Sequence, residues 1–83
     1  MNYGVGIDIS KGKSTISIMK NDGEVIEPSF EINHDIDGLD FLVKKLENIP
    51  KEDLKIVMEE TGTYHLPVLY YLIDKGYFVI AEN

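Results

Sequence analysis

The sequence predicts a single α/β domain with the element order β-β-β-α-β-α-β and a mixed five-stranded sheet. Three observations predict it. An alternating segment opens the chain, two glycine-containing turns follow it at hairpin spacing, and two segments of helical spacing are then separated by a short apolar run. Helical crossovers join parallel strands, whereas tight turns join antiparallel ones, so the sheet is expected to contain both kinds of pair.

The first three strands are predicted from alternation and turns. Residues 3–10 alternate between an apolar set and a small or acidic set, which are Val5, Ile7 and Ile9 against Gly4, Gly6 and Asp8. Residues 10–13 form the first turn, and residues 15–20 are β-branched or apolar enough for a second strand. Asp22 and Gly23 favour another hairpin, after which residues 24–32 are predicted as strand 3. Pro28 makes strand 3 an edge, since proline cannot donate to a ladder.

The second half of the chain is predicted from helical spacing. A helix is expected from Asp35 or Asp37 to the stop at Pro50, with an apolar stripe of Ile36, Leu39, Leu42, Val43, Leu46 and Ile49. Residues 54–59 read as a buried parallel strand. A second helix follows residues 61–63, which can cap it, and Pro67 falls near its first turn. Its apolar side is predicted as Leu66, Leu69, Tyr70, Leu72 and Ile73. Gly76 ends this helix, and residues 77–81 form strand 5.

These connections predict the sheet order 3-2-1-4-5. Right-handed crossovers that travel the same way place both helices on one face, which leaves the other face bare. Val5, Ile7 and Ile9 are candidates for that bare face, where apolar side chains would need a cover. We therefore expect a homodimer through the uncovered sheet face.

Composition limits the function classes. The chain has 83 residues, enough for one small domain, and its 43% hydrophobic content is typical of a soluble globular protein. The absence of cysteine excludes disulfides, thiolate zinc sites and cysteine nucleophiles. No apolar run approaches the roughly 18 residues of a membrane span, and no signal peptide pattern begins the chain. A cytoplasmic location is expected.

Two carboxylates are the leading candidates for chemistry. Asp8 and Glu59 fall near the carboxyl ends of strands 1 and 4, which are parallel neighbours in the predicted order. Oxygen ligands favour Mg²⁺ or Mn²⁺, and a pair of such ions can cleave a phosphodiester. Alternatives remain open: Asp8 can start a turn, and a carboxylate before a helix is favoured by its dipole. Alternation does not choose between Glu59 and Glu60.

Other polar residues carry weaker signals. Lys11 and Lys13 can contact phosphate and Tyr64 can stack on a base, although solvated lysines and packed aromatics are commoner. His34 and His65 have no second ligand at metal spacing, so a surface or capping role is expected for each. The formal net charge of −7 predicts that any surface gripping DNA or RNA lies largely elsewhere.

Two segments together resemble a known family. Gly6-Ile7-Asp8-Ile9-Ser10-Lys11 and Glu59-Glu60-Thr61-Gly62-Thr63-Tyr64 are similar to motifs in the N-terminal domain of the DEDD transposases of insertion sequences, the relatives of the Piv DNA invertase. The resemblance implies a ribonuclease H-like fold similar to the RuvC resolvase. It makes Asp8 and Glu59 the first two of four acidic ligands for Mg²⁺, and it places Glu60 at a variable position. It also implies that the partners are element ends, target DNA and, in many members, a guide RNA.

The same resemblance implies that part of the site is missing. The family's third and fourth ligands, a pair of aspartates, have no counterpart in this sequence. Residues 1–83 are therefore interpreted as the N-terminal part of a ribonuclease H-like transposase domain, without the rest of that domain or a second domain that supplies a serine. Such a fragment is expected to be inactive alone and to bind metal weakly or not at all.

Two other function classes fit part of the sequence. A phosphotransferase of the sugar-kinase and actin superfamily also opens with a Gly-Ile-Asp hairpin, in which Ser14 and Thr15 would contact phosphate. That hairpin usually has glycine where this chain has Ser10, and the Glu-x-Thr-Gly segment has no role in it. A non-catalytic dimerisation module is the third possibility, since a bare sheet face and an acidic surface suit it.

Overall fold

The structure, a computed structural model, describes residues 2–83 and confirms the predicted element order. Its strands are β1 (Tyr3–Ser10), β2 (Lys13–Lys20), β3 (Phe30–Asn33), β4 (Leu54–Glu59) and β5 (Val79–Glu82). Its helices are α1 (Ile36–Leu46) and α2 (Leu66–Asp74), and a short 3₁₀ turn, Lys51–Asp53, precedes β4.

The five strands form one sheet in the predicted order β3-β2-β1-β4-β5. The two hairpin-type connections make β2 antiparallel to both β1 and β3. The two helical crossovers make β4 parallel to both β1 and β5. The carboxyl ends of β1, β4 and β5 therefore meet at one edge of the sheet.

One face of the sheet forms the hydrophobic core with both helices. Buried side chains of β1, β2 and β4 join those of the helices in a single cluster, whose helical members are Leu39, Leu42, Leu46, Val68 and Leu72. Both helices thus cover the same face, as predicted. The opposite face is left without a helix within residues 2–83.

The prediction that Val5, Ile7 and Ile9 belong to the bare face is wrong. All three are buried, with exposed fractions of 2%, 4% and 6%, and they belong to the core under the helices. Alternation divides a strand into two sets but does not tell which set meets the helices. The bare face receives the other set of β1, which consists of Gly4, Gly6 and Asp8.

β3 is shorter than predicted. It begins at Phe30 rather than at residue 24, and before it Val25 makes a single isolated bridge to Met19. Pro28 has no amide hydrogen for the ladder, which accounts for the late start. The prediction that this strand is an edge is confirmed by the sheet order.

α1 begins one residue after its cap. The carboxylate of Asp35 accepts a hydrogen bond from the amide of Gly38 at 2.8 Å, so Asp35 is the N-cap residue. Ile36, predicted in the apolar stripe, is 62% exposed. The helix turns about 100° per residue, so Ile36 lies opposite Gly38, which packs against β3. α1 ends at Leu46, before the residues that Pro50 restricts.

α2 differs from prediction at its start and on its apolar side. His65 is the N-cap residue and makes no side-chain cap bond, so neither Thr61 nor Thr63 caps the helix as expected. Val68 and Leu72 face the core, whereas the side chains of Tyr70 and Ile73 are exposed. Gly76 follows the helix at φ +90°, the conformation predicted for it.

A polar pair ties β2 to the segment between β3 and α1. Oγ of Ser14 lies 2.6 Å from Nε2 of His34, and Ser14 is 1% exposed. Burial lowers the pKa of His34 below its ordinary value of 6.5. His34 is therefore neutral in the folded protein at neutral pH.

Within residues 2–83, none of the helices is long and apolar enough to cross a membrane.

The pKa of His34 predicts how stability depends on pH. As pH falls through 6.5, His34 binds a proton in the unfolded chain but stays neutral in the folded chain, where its pKa is lower. The free energy of unfolding therefore falls. Above that pH the contribution is fully present. We expect the loss between about pH 7.5 and about pH 5.5, measured by urea denaturation, to be smaller in His34→Gln, which has no titrating ring. An equal loss in both proteins would contradict this assignment.

Candidate metal and strand-cleavage site

One row of side chains crosses the whole uncovered face. Glu31 pairs with Thr15, Thr15 pairs with Asp8, and on the other side Glu59 pairs with Glu82. β1 and β4 pair in parallel as far as Ile7 opposite Met58, and Asp8 and Glu59 are the residues that follow these two. The row therefore places Asp8 and Glu59 on adjacent strands and on the same face.

Both carboxylates point to the uncovered face because each occupies an exposed position in a strand whose burial alternates. In β1 and in β4 the burial pattern alternates to the end, so the exposed positions include Asp8 and Glu59. Their neighbours Ile7, Ile9 and Met58 are buried on the helical side. The burial of these apolar neighbours fixes the direction in which each carboxylate leaves the sheet.

A groove of about 480 Å³ opens on this face and contains the two carboxylates. Its lining residues include Gly6, Asp8, Thr15, Ser17, Val57, Glu59 and Glu82. The groove is an open concavity rather than a closed cavity, and its walls combine carboxylate and hydroxyl oxygens with aliphatic carbon. Such a surface is suited to hard cations and to an extended polar chain more than to an apolar ligand.

Two glycines of β1, Gly4 and Gly6, leave part of the uncovered face without side chains. A Cβ atom built at Gly4 or at Gly6 would meet nothing within 4 Å. Gly6 is exposed and Gly4 is half-buried, and Gly6 lines the groove together with Asp8. Side chains at these positions would fill part of the space through which a ligand approaches Asp8.

Glu59 rather than Glu60 enters the groove. Glu59 lines it, whereas the amide of Glu60 donates to the carbonyl of Glu82 at 2.6 Å and continues the ladder with β5. Gly62 follows at φ +57°, a conformation that favours glycine, and it redirects the chain toward α2. The structure thus separates two carboxylates that alternation alone left equivalent.

Glu82 is a groove residue that the sequence analysis did not single out. It lies at the end of β5 as the register partner of Glu59 and lines the same groove. The signal was present, since Glu82 ends the last strand as Glu59 ends β4. Within residues 2–83, however, no three side chains of the His, Cys, Asp or Glu type come close enough to hold one metal ion together.

The predicted nucleic-acid contacts lie outside the groove. Lys11 and Lys13 are exposed in and after the β1–β2 turn, and Nζ of Lys13 lies 3.7 Å from a carboxylate oxygen of Glu31. Tyr64 is 42% exposed in the loop before α2. None of the three lines the groove with Asp8, so they flank the site at most.

The two histidines are more buried than a surface role requires. His65 is 5% exposed, and its Nδ1 has no hydrogen-bond partner among the described residues. His34 contacts Ser14 on the helical side of the sheet. Neither histidine lines the groove.

The contact between Ser14 and His34 argues against the phosphotransferase alternative. That alternative requires Ser14 and Thr15 to contact phosphate together. Thr15 lines the groove, but Ser14 points to the opposite face, where it is buried against His34. Adjacent residues of a strand face opposite ways, so the two hydroxyls do not converge.

Comparison with known proteins gives one family and one structural similarity. A family model described as a transposase, of the DEDD type, matches residues 5–83. Among curated proteins, none matches the chain. Twelve chains of solved structures match it. One is the Ppx/GppA family member of Aquifex aeolicus, with 14% sequence identity and a TM-score of 0.44. That match covers 96% of this chain and 34% of the other, so this chain spans about a third of that protein's length.

The row of carboxylates predicts an effect on stability. Glu59 pairs with Glu82 on β5, and Asp8 lines the same groove from β1. Like charges on neighbouring strands destabilise a sheet by roughly 0.2–1 kcal/mol per pair. Glu59→Gln should therefore raise the free energy of unfolding by about that amount in urea denaturation at low salt, and less at high salt.

Glu31→Gln is the matched control for that measurement. Glu31 lies in the same row but faces Lys13, so its neutralisation removes an attraction and should leave stability unchanged or slightly lower. If both variants stabilise the chain equally, the effect is one of net charge, and repulsion within the row is not its cause.

Proposed function

This chain belongs to the DEDD-type transposases of insertion sequences, and from that membership we propose that Asp8 and Glu59 supply two of the acidic ligands of a metal-dependent DNA strand-cleavage and transfer site. One observation carries the proposal. The two carboxylates occupy neighbouring positions on adjacent parallel strands and enter the same open groove. Transposition or recombination of DNA is the process served by the full-length protein.

The donor set fits Mg²⁺ or Mn²⁺. The charged groups of the groove are all carboxylates, and Thr15 and Ser17 add hydroxyl oxygens. Small hard cations prefer such oxygen ligands over nitrogen or sulfur. When bound, a pair of these ions supplies activation of an attacking water or hydroxyl and charge stabilisation at the departing oxygen. Asp8 and Glu59 would hold them, and the open groove would admit the phosphodiester.

The chain holds part of the ligand set. Asp8, Glu59 and Glu82 line one groove without forming a group of three that can share an ion. We propose that residues 1–83 are the N-terminal part of a ribonuclease H-like domain whose remaining acidic ligands lie in a further segment. Two carboxylates alone bind a divalent cation weakly in water, so weak or absent metal binding is expected.

DNA is the proposed partner of the full-length protein, as element ends and target, and a guide RNA remains a prediction. The net charge of −7 opposes tight binding of a polyanion by this chain. Lys11, Lys13 and Tyr64 lie exposed on the side of the molecule where β1 and β4 end, which supports a flanking contact with the strand being cut. The main DNA-gripping surface is proposed to lie elsewhere.

Dimerisation through the uncovered face and a cytoplasmic location also remain predictions. The apolar residues first considered for that face are in the core, so the dimer now depends on partly buried side chains such as Val57 and Ile80 and on exposed Met19. The carboxylates beside these side chains would repel the same carboxylates of a second copy. A dimer through this face is therefore favoured only when their charge is neutralised.

Metal binding can be located residue by residue with paramagnetic Mn²⁺. We expect the amide signals of Asp8 and Glu59 to broaden before others in an NMR titration, because the ion is held between their strands. The early broadening should disappear in Asp8→Asn and in Glu59→Gln. Glu60→Gln is the matched control, since this neighbouring carboxylate lies outside the groove, and it should behave as the unmodified chain. Broadening that follows surface acidity generally, or that depends on Glu60, would contradict the assignment.

Catalysis tests the proposal that the ligand set is incomplete. This chain, incubated with supercoiled DNA and Mg²⁺ or Mn²⁺, should produce no nicking above background, because two ligands do not organise the pair of ions. Metal-dependent nicking that is abolished by Asp8→Ala would show that residues 1–83 suffice, and the proposal of missing ligands would then be withdrawn.

A further inference from the structure

Asp8 lies in a part of β1 that β4 does not hold. The pairing of β1 with β4 runs from Tyr3 to Ile7. The last three residues of β1 continue past it and pair with β2 alone, with Asp8 opposite Thr15 and Ser10 opposite Lys13. The position of Asp8 relative to Glu59 therefore depends on how this end of the β1–β2 hairpin is held from its other side.

β3 holds that side over a short length. Its four residues end at Asn33, which pairs with Lys13, and β3 is an edge of the sheet. His34 extends the attachment by one step. Its amide donates to the carbonyl of Gly12 at 3.0 Å, and its ring nitrogen Nε2 lies 2.6 Å from Oγ of Ser14. His34 thus binds the hairpin on both sides of Lys13.

Loss of the hydrogen bond between the side chains of Ser14 and His34 would be costly, because Ser14 is buried. Ser14 is 1% exposed, so its hydroxyl has little access to water. A buried hydroxyl that loses its partner keeps the cost of desolvation without compensation. The ring of His34 is half-buried and neutral, and a neutral imidazole can either accept from the hydroxyl or donate to it.

His34 is itself fixed to the helical layer. The next residue, Asp35, caps α1 through the amide of Gly38. Gly38 packs so tightly on β3 that an added Cβ would collide with the backbone carbonyl of Asn33. Both neighbours of His34 are therefore held by packing and capping, so its ring is a fixed support for the hairpin.

We propose that His34 is a positioning residue: through Gly12 and Ser14 it holds the hairpin end that carries Asp8 in register with Glu59. The purpose of that register, metal binding, rests on the function proposed above, whereas the mechanical hold on the hairpin does not. A nucleophilic role for the Ser14–His34 pair is inconsistent with the structure, because Ser14 is buried and faces away from the groove.

The experiment compares His34→Ala and His34→Gln with the unmodified chain. In His34→Ala, amide hydrogen exchange of residues 8–15 should become about 5–10-fold faster, the effect of one lost hydrogen bond, relative to the rest of the sheet. The Mn²⁺ concentration that half-broadens the Asp8 and Glu59 signals should rise several-fold. His34→Gln should restore both readouts, since its amide can reach the Ser14 hydroxyl. Ser14→Ala should act as His34→Ala does, and the double variant should be no worse than either.

Tyr71→Phe is the control for general destabilisation. It removes the hydrogen bond from Tyr71 to Asp40 between the two helices, neither of which belongs to the hairpin, and should leave exchange at residues 8–15 unchanged relative to the rest. Three results would overturn the proposal: exchange in His34→Ala that is unchanged or rises uniformly, no restoration by His34→Gln, or an unchanged Mn²⁺ midpoint in His34→Ala. If Mn²⁺ does not bind the unmodified chain, as the incomplete ligand set allows, the exchange comparison alone decides whether His34 holds the hairpin.

Discussion

The structure depends on one constraint, the alternation of a central strand between a covered and an uncovered face. β1 sends Val5, Ile7 and Ile9 into the core and leaves Gly4, Gly6 and Asp8 on the other side. Because side chains of a strand alternate strictly, burial of the apolar set fixes the direction of the acidic one. β4 repeats the arrangement, with Met58 buried and Glu59 exposed. The hydrophobic effect thus orients the proposed metal ligands without any direct interaction with them.

Topology then brings these ligands together. Residues 8 and 59 are far apart in the chain, but a crossover through α1 returns the chain beside β1 in the same direction. Carboxyl ends of parallel strands share an edge, and three carboxylates from β1, β4 and β5 line one groove there. We expect their like charges to work against folding, which is the usual consequence of concentrating charge where a cation is to bind.

Much of the architecture followed from local patterns. Glycine turns, helical spacing and Pro28 predicted the element order, the strand order and the edge position of β3. Predictions failed where a choice depended on neighbours in space. Ile36 and Tyr70 have the helical spacing of an apolar stripe, yet α1 and α2 are rotated so that both side chains are exposed. The length of β3 was overestimated because alternation continues through residues that have no ladder partner.

The sequence by itself determined which residues can bind a hard cation and, through the Glu-x-Thr-Gly motif, which family the chain resembles. It also determined that the carboxylate of Asp8 and the apolar side chains beside it leave β1 on opposite faces. The same motif favoured Glu59 over Glu60, and Glu59 is the one that lines the groove. Only the tertiary structure decided which face the helices cover and that Glu82 joins the groove. The reason is physical: alternation is a local property of a strand, whereas burial depends on which surface the rest of the chain covers.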